Sequence, residues 1–234
     1  MTGALIRVAG PVTLVGGGPV DPDQLARALA LAPVAVAADG GGDVPLPEGR
    51  DYAAVIGDLD SIRDAAALRA RGVAVHAVAD QDTTDLEKCL AAIEAPLILG
   101  LGFLGGRLDH QLAAMTALTR QAERPVILLG GGDLCFLCPA DFTLDAPAGT
   151  RVSLYPMRPV RGVVSEGLRW SVAGLEMAPD GRIGTSNVAL GGRLRIGFDG
   201  PGVLVILPVG LLGDVVARLA TGRTSGMASP AGIC

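Results

Sequence analysis

One lysine (Lys88), one asparagine (Asn187), one tryptophan (Trp170) and two histidines are all that the 234 residues hold of these types. A net charge of −5 leaves no basic face of the kind that grips nucleic acid, so a nucleic-acid partner is not expected. No apolar run approaches the ~20 residues that a bilayer-spanning helix needs, so no membrane association is expected either. With His76 and His110 far apart in the chain, a zinc site built from protein ligands is not expected. The four cysteines, Cys89, Cys135, Cys138 and Cys234, do not make a secreted disulfide framework and point to a reduced, cytoplasmic protein. Cys135-Phe136-Leu137-Cys138 has C-x-x-C spacing, but it lies in a strand-like run and reads as a buried structural pair. A Walker A loop is missing, because the one lysine follows Glu87. The dinucleotide signature is missing too, since Gly16-Gly17-Gly18-Pro19 follows the first strand. Residues 1–18 are apolar but carry Arg7 and Pro11, and read as a first strand rather than a signal peptide.

Half of the residues are hydrophobic, and the length suffices for two domains. Apolar strand-like runs occur at 12–15, 34–38, 53–56, 73–78, 97–101 and 126–129, with helical patterns at 23–31, 62–71, 85–93 and 108–120. Continuous Val/Ile/Leu runs separated by helices indicate a parallel sheet buried on both faces. His76 falls inside one of these runs and is expected in the core. After Pro139 the runs shorten, Gly and Pro separate them, and period-two alternation sets in, with one further helix expected at 211–219. The expected fold is therefore α/β: an N-terminal three-layer α/β domain with a mostly parallel sheet (1–138), then an antiparallel β-sandwich or barrel (139–220). A mobile tail, 221–234, is expected to follow.

The chemistry gathers where strands end. Asp80-Gln81-Asp82-Thr83-Thr84-Asp85 lies between a strand and a helix, where open α/β sheets hold ligands. Thr84 or Asp82 can cap that helix, but one cap does not require six polar residues in a row. Gly57-Asp58-Leu59-Asp60-Ser61 ends the preceding strand, and its two aspartates repel each other unless a cation neutralises them. Asp58, Asp60 and Asp85 together suit a magnesium ion, with Asp39 and Asp82 at the same sheet edge. The lone Lys88, in a chain that otherwise uses arginine, sits inside this acidic stretch and invites a specific role. In Gly105-Gly106-Arg107-Leu108-Asp109-His110, Arg107 offers a fork for phosphate oxygens, and Asp109 either caps the helix or fixes Arg107.

These residues form a set that resembles the thiamine pyrophosphokinase (thiamine diphosphokinase) family. The resemblance is carried by Ala38-Asp39-Gly40-Gly41, Ile56-Gly57-Asp58-Leu59-Asp60-Ser61-Ile62, the stretch from Asp80 to Leu90, and Gly105-Gly106-Arg107-Leu108-Asp109-His110. Gly167-Leu168-Arg169-Trp170 and Gly184-Thr185-Ser186-Asn187 extend it through the C-terminal half, in family order. It implies an MgATP-binding α/β domain, a thiamine-binding β domain, and a homodimer in which thiamine lies between the two kinds of domain from different subunits. The implied reaction moves the pyrophosphoryl group of ATP to the thiamine hydroxyl and releases AMP. By that likeness Asp58, Asp60, Asp85 and Arg107 are catalytic, the three aspartates holding Mg²⁺. Asp39, Gly40, Gly41, Gln81, Asp82, Thr84, Lys88 and Asp109 line the ATP path, and His110, Ser186 and Asn187 face the acceptor. Val188 and Ala189 depart from the family pattern, which tends to place an acidic or aromatic residue after the Ser-Asn pair. Two other functions share part of this pattern: a pyrophosphokinase for another primary alcohol such as a hydroxymethylpterin, and a non-catalytic nucleotide or thiamine sensor.

Overall fold

The computed structural model describes residues 4–47, 49–80, 82–122 and 124–221. Gln81 and the expected tail from 222 to 234 lie outside the described residues. The first half follows the expected alternation: β1 (Ile6–Arg7), β2 (Val12–Val15), α1 (Pro22–Leu31), β3 (Val34–Ala38), β4 (Ala54–Gly57), α2 (Ala65–Ala70) and β5 (Ala74–Ala77). It continues with α3 (Asp85–Ala92), β6 (Ile93–Glu94), β7 (Ile98–Leu101), α4 (Leu108–Thr119), β8 (Val126–Gly130) and β9 (Asp133–Leu137). The second half is built from β10 (Asp141–Ala146), β11 (Arg151–Pro156), β12 (Val160–Glu166), β13 (Glu176–Met177), β14 (Gly184–Val188), β15 (Gly192–Phe198) and β16 (Val203–Pro208). Helix α5 (Leu212–Thr221) follows.

Both halves share one sheet. Its order is β14-β11-β16-β9-β8-β7-β2-β3-β4-β5, parallel from β8 to β5 and antiparallel beyond β8. Strand β9 carries the continuity, pairing with β8 on one side and β16 on the other across residue 138. A second sheet, β10-β15-β12-β13, packs against the antiparallel end and completes a sandwich.

Alternation along each strand builds the layers. Leu14, Val36, Ile56, Ile98 and Leu128 face Leu86, Cys89 and Leu90 of α3 and Ala114, Ala117 and Leu118 of α4. Val15, Ala37, Val55, Leu99 and Leu101 share the opposite core with Leu25 and Leu29 of α1 and Leu68 of α2. That core runs on into the sandwich through Phe136, Phe142, Leu194 and Val205. His76 is half-buried rather than in the core, because β5 is the edge strand and lacks a neighbour on one side. Cys135 and Cys138 are buried, as expected of a structural pair, and burial pushes both thiols up. Among the described residues no helix is long and apolar enough to cross a membrane.

Candidate active site

Strand β2 lies between β7 and β3, so the direction of travel across the sheet reverses there. Ligands of open α/β sheets bind at such a point, beyond the carboxyl ends of the strands. A cavity of about 750 Å³ opens there, bordered by Gly16, Gly18, Asp39, Ser61, Asp85 and Arg107 among others. Two glycines make the close approaches that shape it. A Cβ on Gly41 would lie 2.1 Å from the Val15 carbonyl oxygen, so the 3₁₀ turn Asp39–Asp43 passes directly over the end of β2. A Cβ on Gly57 would lie 2.6 Å from that of Asp39, so only a bare backbone there lets Asp39 tuck against β4.

Asp39 is the most buried carboxylate of the group, 2% exposed, on a left-handed backbone with φ 43. One oxygen, Oδ2, accepts the Ser61 N–H at 3.2 Å, while the buried Oδ1 has no partner among the described residues. Burial pushes its pKa up, against the Ser61 bond, and the negative charges of Asp85 and Asp58 push the same way. Oxygens of Asp39, Asp58 and Asp60 lie within 4.8 Å of one another. Leaving a buried carboxylate oxygen unmatched is costly, and a hard divalent cation is the partner such an oxygen set fits. The residues present thus fit Mg²⁺.

Lys88 stands beside this trio with its side chain 4% exposed. Its ammonium donates to Asp58 Oδ2 at 3.0 Å and to Asp85 Oδ1 at 3.2 Å. Desolvation pulls the Lys88 pKa down, but the two carboxylates outweigh it and the net direction is up. The Lys88 bond in turn holds Asp58 below the usual carboxylate range. The expected metal trio was Asp58, Asp60 and Asp85. The structure brings oxygens of Asp39, Asp58 and Asp60 within 4.8 Å of one another, while Asp85 binds the same Lys88 ammonium as Asp58 and stands close enough for its charge to act on Asp39.

Helix α3 holds Lys88 in place. Thr84 is its N-cap in a capping box with Glu87, whose Oε2 accepts the Thr84 N–H at 3.1 Å. Arg120 of the neighbouring helix region binds Glu87 Oε1 at 2.5 Å. The exposed Asp82 gives its N–H to Asp80 Oδ1 at 2.9 Å, and Thr83 Oγ1 donates to Asp80 Oδ2 at 2.7 Å, so Asp80 folds the loop before α3. Gly40 lines the cavity. Arg107 precedes α4 and also lines the cavity, its guanidinium engaged with both oxygens of Asp109 at 3.1 and 2.6 Å. His110 lines the cavity too, and its backbone N–H donates to Asp109 Oδ1 at 3.0 Å. Asp43, Arg63 and Phe103 border the cavity without having been assigned from the sequence. Phe103 packs on the bare face of Gly16, where a Cβ would lie 2.7 Å from its ring, and no local pattern signals such a contact.

Ser186 and Asn187 are not brought to this edge within one chain. They lie on β14, seven strand spacings from β3, which at about 4.8 Å per spacing is roughly 30 Å. Ser186 has φ 59 and gives its N–H to Ser153 Oγ at 3.0 Å. Asn187 is buried, its Oδ1 accepting the Trp170 N–H at 3.1 Å and its Nδ2 donating to the Trp170 carbonyl at 2.7 Å. The Trp170 side chain remains 53% exposed, with the Arg169 guanidinium 5.0 Å from its ring centroid. Val188 pairs with Arg151, and Ala189 bridges to Leu168, so both serve the strand rather than a ring-binding surface.

A parallel sheet with glycine turns, converging carboxylates and one lysine at its switch point defines an α/β protein whose strand ends could hold an anionic ligand together with a cation. Two family models match in tandem: the catalytic domain of thiamin pyrophosphokinase over residues 25–128, and the vitamin B1 binding domain of thiamin pyrophosphokinase over 141–203. The chain belongs to the thiamin pyrophosphokinase family. Thiamine pyrophosphokinase 1 of Oryza sativa subsp. japonica is 34% identical, the alignment covering 61% of this chain and 61% of that protein. Thiamine pyrophosphokinase 2 of Arabidopsis thaliana is 32% identical over 47% of this chain and 46% of that one. The aligned part of the chain thus spans about three-fifths of the rice relative and about half of the Arabidopsis one. The fold is shared with thiamin pyrophosphokinase from Candida albicans, at a TM-score of 0.74 and 16% identity over 88% of this chain and 93% of that one. It is shared also with thiamin pyrophosphokinase from Geobacillus thermodenitrificans, at a TM-score of 0.69 and 23% identity over 85% and 96%.

Proposed function

We propose that this chain is a thiamine diphosphokinase, transferring the pyrophosphoryl group of MgATP to the hydroxyl of thiamine. The observation that carries the proposal is the buried Asp39, whose Oδ1 has no partner among the described residues, converging with Asp58 and Asp60 at the sheet's switch point. Family membership supplies the two substrates. In the reaction the hydroxyl oxygen attacks the β-phosphorus, the bond to the α,β-bridging oxygen breaks, AMP leaves with that electron pair, and the hydroxyl proton is released. Asp39, Asp58 and Asp60 would hold Mg²⁺, which supplies charge neutralisation for the phosphate oxygens when bound. The backbone at Gly16, Gly17 and Gly18 comes close enough to line a phosphate path. Arg107 presents a planar fork to the same cavity, held by Asp109. Phosphoryl-type transfer asks for positioning and charge rather than a covalent intermediate, and these residues supply both.

The acceptor side is proposed to come from a second copy of the chain, giving a homodimer. Ser186, Asn187 and the exposed Trp170 lie too far from the acidic edge of their own chain to meet the same substrate. The β-rich half also leaves Val163, Ile183 and Leu190 exposed, apolar surface that a second copy would cover. The buried free thiols of Cys89, Cys135 and Cys138 support a reducing, cytoplasmic setting. Incubating the protein with MgATP and thiamine and assaying AMP and thiamine diphosphate tests the proposal. No product from thiamine, with product from a hydroxymethylpterin, would overturn the acceptor. Product from neither would overturn the reaction.

A further inference from the structure

We infer that Arg63 is a further phosphate-contacting residue, its guanidinium closing on the β- and γ-phosphate groups from the side opposite Arg107. The inference rests on the pyrophosphoryl-transfer reading given above. Arg63 lies three residues after Asp60 in the loop that follows β4, and it lines the cavity together with Ser61. The backbone of this loop is pinned to the 3₁₀ turn after β3 at two points. Asp39 Oδ2 accepts the Ser61 N–H and Asp43 Oδ2 accepts the Arg63 N–H, each at 3.2 Å. The guanidinium at the end of the side chain is not pinned. It makes no hydrogen bond among the described residues, its Nε stands 3.6 Å from Asp43 Oδ2, and the side chain is 89% exposed. An ion pair that long and that exposed yields readily to a stronger partner.

The other two cations of the site are already engaged. Arg107 gives both prongs to Asp109, and Lys88 is shared by Asp58 and Asp85. Arg63 is thus the cation of the three that a ligand can recruit without breaking a short bond. Its place fits the ligand as well. Strands β4 and β7 are three spacings apart in the sheet, which at about 4.8 Å per spacing is roughly 14 Å. Arg63 and Arg107, in the loops that follow these strands, therefore face the phosphate path from opposite walls. Asp58 and Asp60 precede Arg63 in one loop, and the ion they fit neutralises the group being transferred. A guanidinium rooted on that loop meets the same group rather than the nucleoside, and its planar fork matches two phosphate oxygens at once.

The test uses two nucleotides: α,β-methylene-ATP, which cannot be cut at the bond that breaks, and AMP, which lacks the two outer phosphates. Each is titrated in the presence of Mg²⁺ into the wild type, Arg63→Met and Arg63→Lys, and the affinity is read by calorimetry. Arg63→Met is expected to bind the ATP analogue about tenfold more weakly than the wild type, or worse, and AMP within about threefold of it. Arg63→Lys is expected to fall between the two for the analogue, because an ammonium keeps the charge and loses the fork. Melting temperatures should stay within about 2 °C of the wild type, since so exposed a side chain carries little of the fold. Unchanged affinity for the analogue in Arg63→Met, or an equal loss for analogue and AMP, overturns the inference and leaves the proposed function standing. A wild type that binds neither nucleotide sinks the nucleotide reading and the inference with it. A wild type that binds the analogue but forms no product from any acceptor overturns the reaction alone, and the titrations still decide Arg63.

Discussion

Asn187 holds Trp170 by both backbone groups, its Oδ1 3.1 Å from the Trp170 nitrogen and its Nδ2 2.7 Å from the carbonyl oxygen. The family resemblance implies that Asn187 faces the acceptor, and in the structure its amide is engaged inside the chain and its side chain is buried. Any effect of Asn187 on an acceptor would therefore pass through Trp170, whose ring is the exposed group. Asn187→Ala takes a partner from three backbone groups, the Trp170 N–H and carbonyl and the Val188 N–H, and is expected to cost about 1–3 kcal/mol in thermal unfolding. KM for thiamine should rise while KM for ATP stays put. Equal rises in both would show that the variant loosens the whole fold rather than the Trp170 loop.

Gly41→Ala is expected to be far more damaging than Gly40→Ala. The new methyl at 41 meets the Val15 carbonyl at 2.1 Å, a backbone atom that cannot swing aside, whereas at 40 the nearest atom is Ser61 Cβ at 3.2 Å. Moving the turn off β2 should cost roughly 1–3 kcal/mol or more, with the change at 40 below about 1 kcal/mol. Chemical denaturation of the two variants compares them directly, and similar losses would contradict the close packing of this turn.

The main strands of the parallel half, β2, β3, β4, β7 and β8, were legible because each is a nearly continuous apolar run, and α1 and α3 because each carries its own cap and apolar face. Helix α2 is shorter than its pattern, starting at Ala65 because Asp64 caps it there. Strand β14 was missed, since Gly184-Thr185-Ser186-Asn187-Val188 has no apolar alternation and is held by its pairing with β11. The shared sheet was not legible either, because β9 joins the halves through pairings with strands distant in sequence. At the site, the acidic turns could be read as strand ends. That Asp39 meets Asp58 and Asp60 depends on β3 and β4 being neighbours, and strand order leaves no local mark. Lys88 stood out by its rarity, and Asp85 is one helical turn away on α3, but its other partner, Asp58, emerges only when α3 packs beside β4.

Asp85→Asn should lower turnover by about 10²–10³-fold while leaving the fold intact. The substitution removes one of the two charges that hold Lys88, and Asp85 itself borders the cavity. Its side chain is half-exposed, so the stability change should stay within about 1 kcal/mol. Steady-state rates and melting curves of the variant check both halves. Turnover like the wild type would remove Asp85 from the site.

Asp141 and Arg195 tie β10 to β15 through a two-pronged pair with bonds of 3.0 and 2.7 Å. The Arg195 bond holds the Asp141 carboxyl below its usual value of 3.8. A depressed folded pKa means the stabilisation is fully present above the unfolded value and is lost as pH falls through the folded one. Both side chains are part-exposed, so Asp141→Asn should cost under about 1 kcal/mol at neutral pH. The difference in melting temperature between wild type and variant should shrink as pH falls below about 4. A difference that stays constant down to pH ~2 would mean that the carboxylate charge contributes nothing there.

The separation of Ser186, Asn187 and Trp170 from the acidic edge makes a sharper demand on the dimer than any measurement of mass. Suppose each site combines the α/β half of one subunit with the β half of its partner. Asp85→Asn and Asn187→Ala then damage different halves of every site. In a mixed dimer one site receives both defects and the other receives neither. After unfolding and refolding an equal mixture, half of the dimers are mixed and each carries one intact site, so about a quarter of wild-type activity should return at limiting thiamine. Refolding either variant alone should restore nothing beyond its own residual rate. A site built within one chain gives a different result, because each subunit keeps its own defect whichever partner it meets. Activity equal to the mean of the two variants would therefore place both halves of the site in a single subunit.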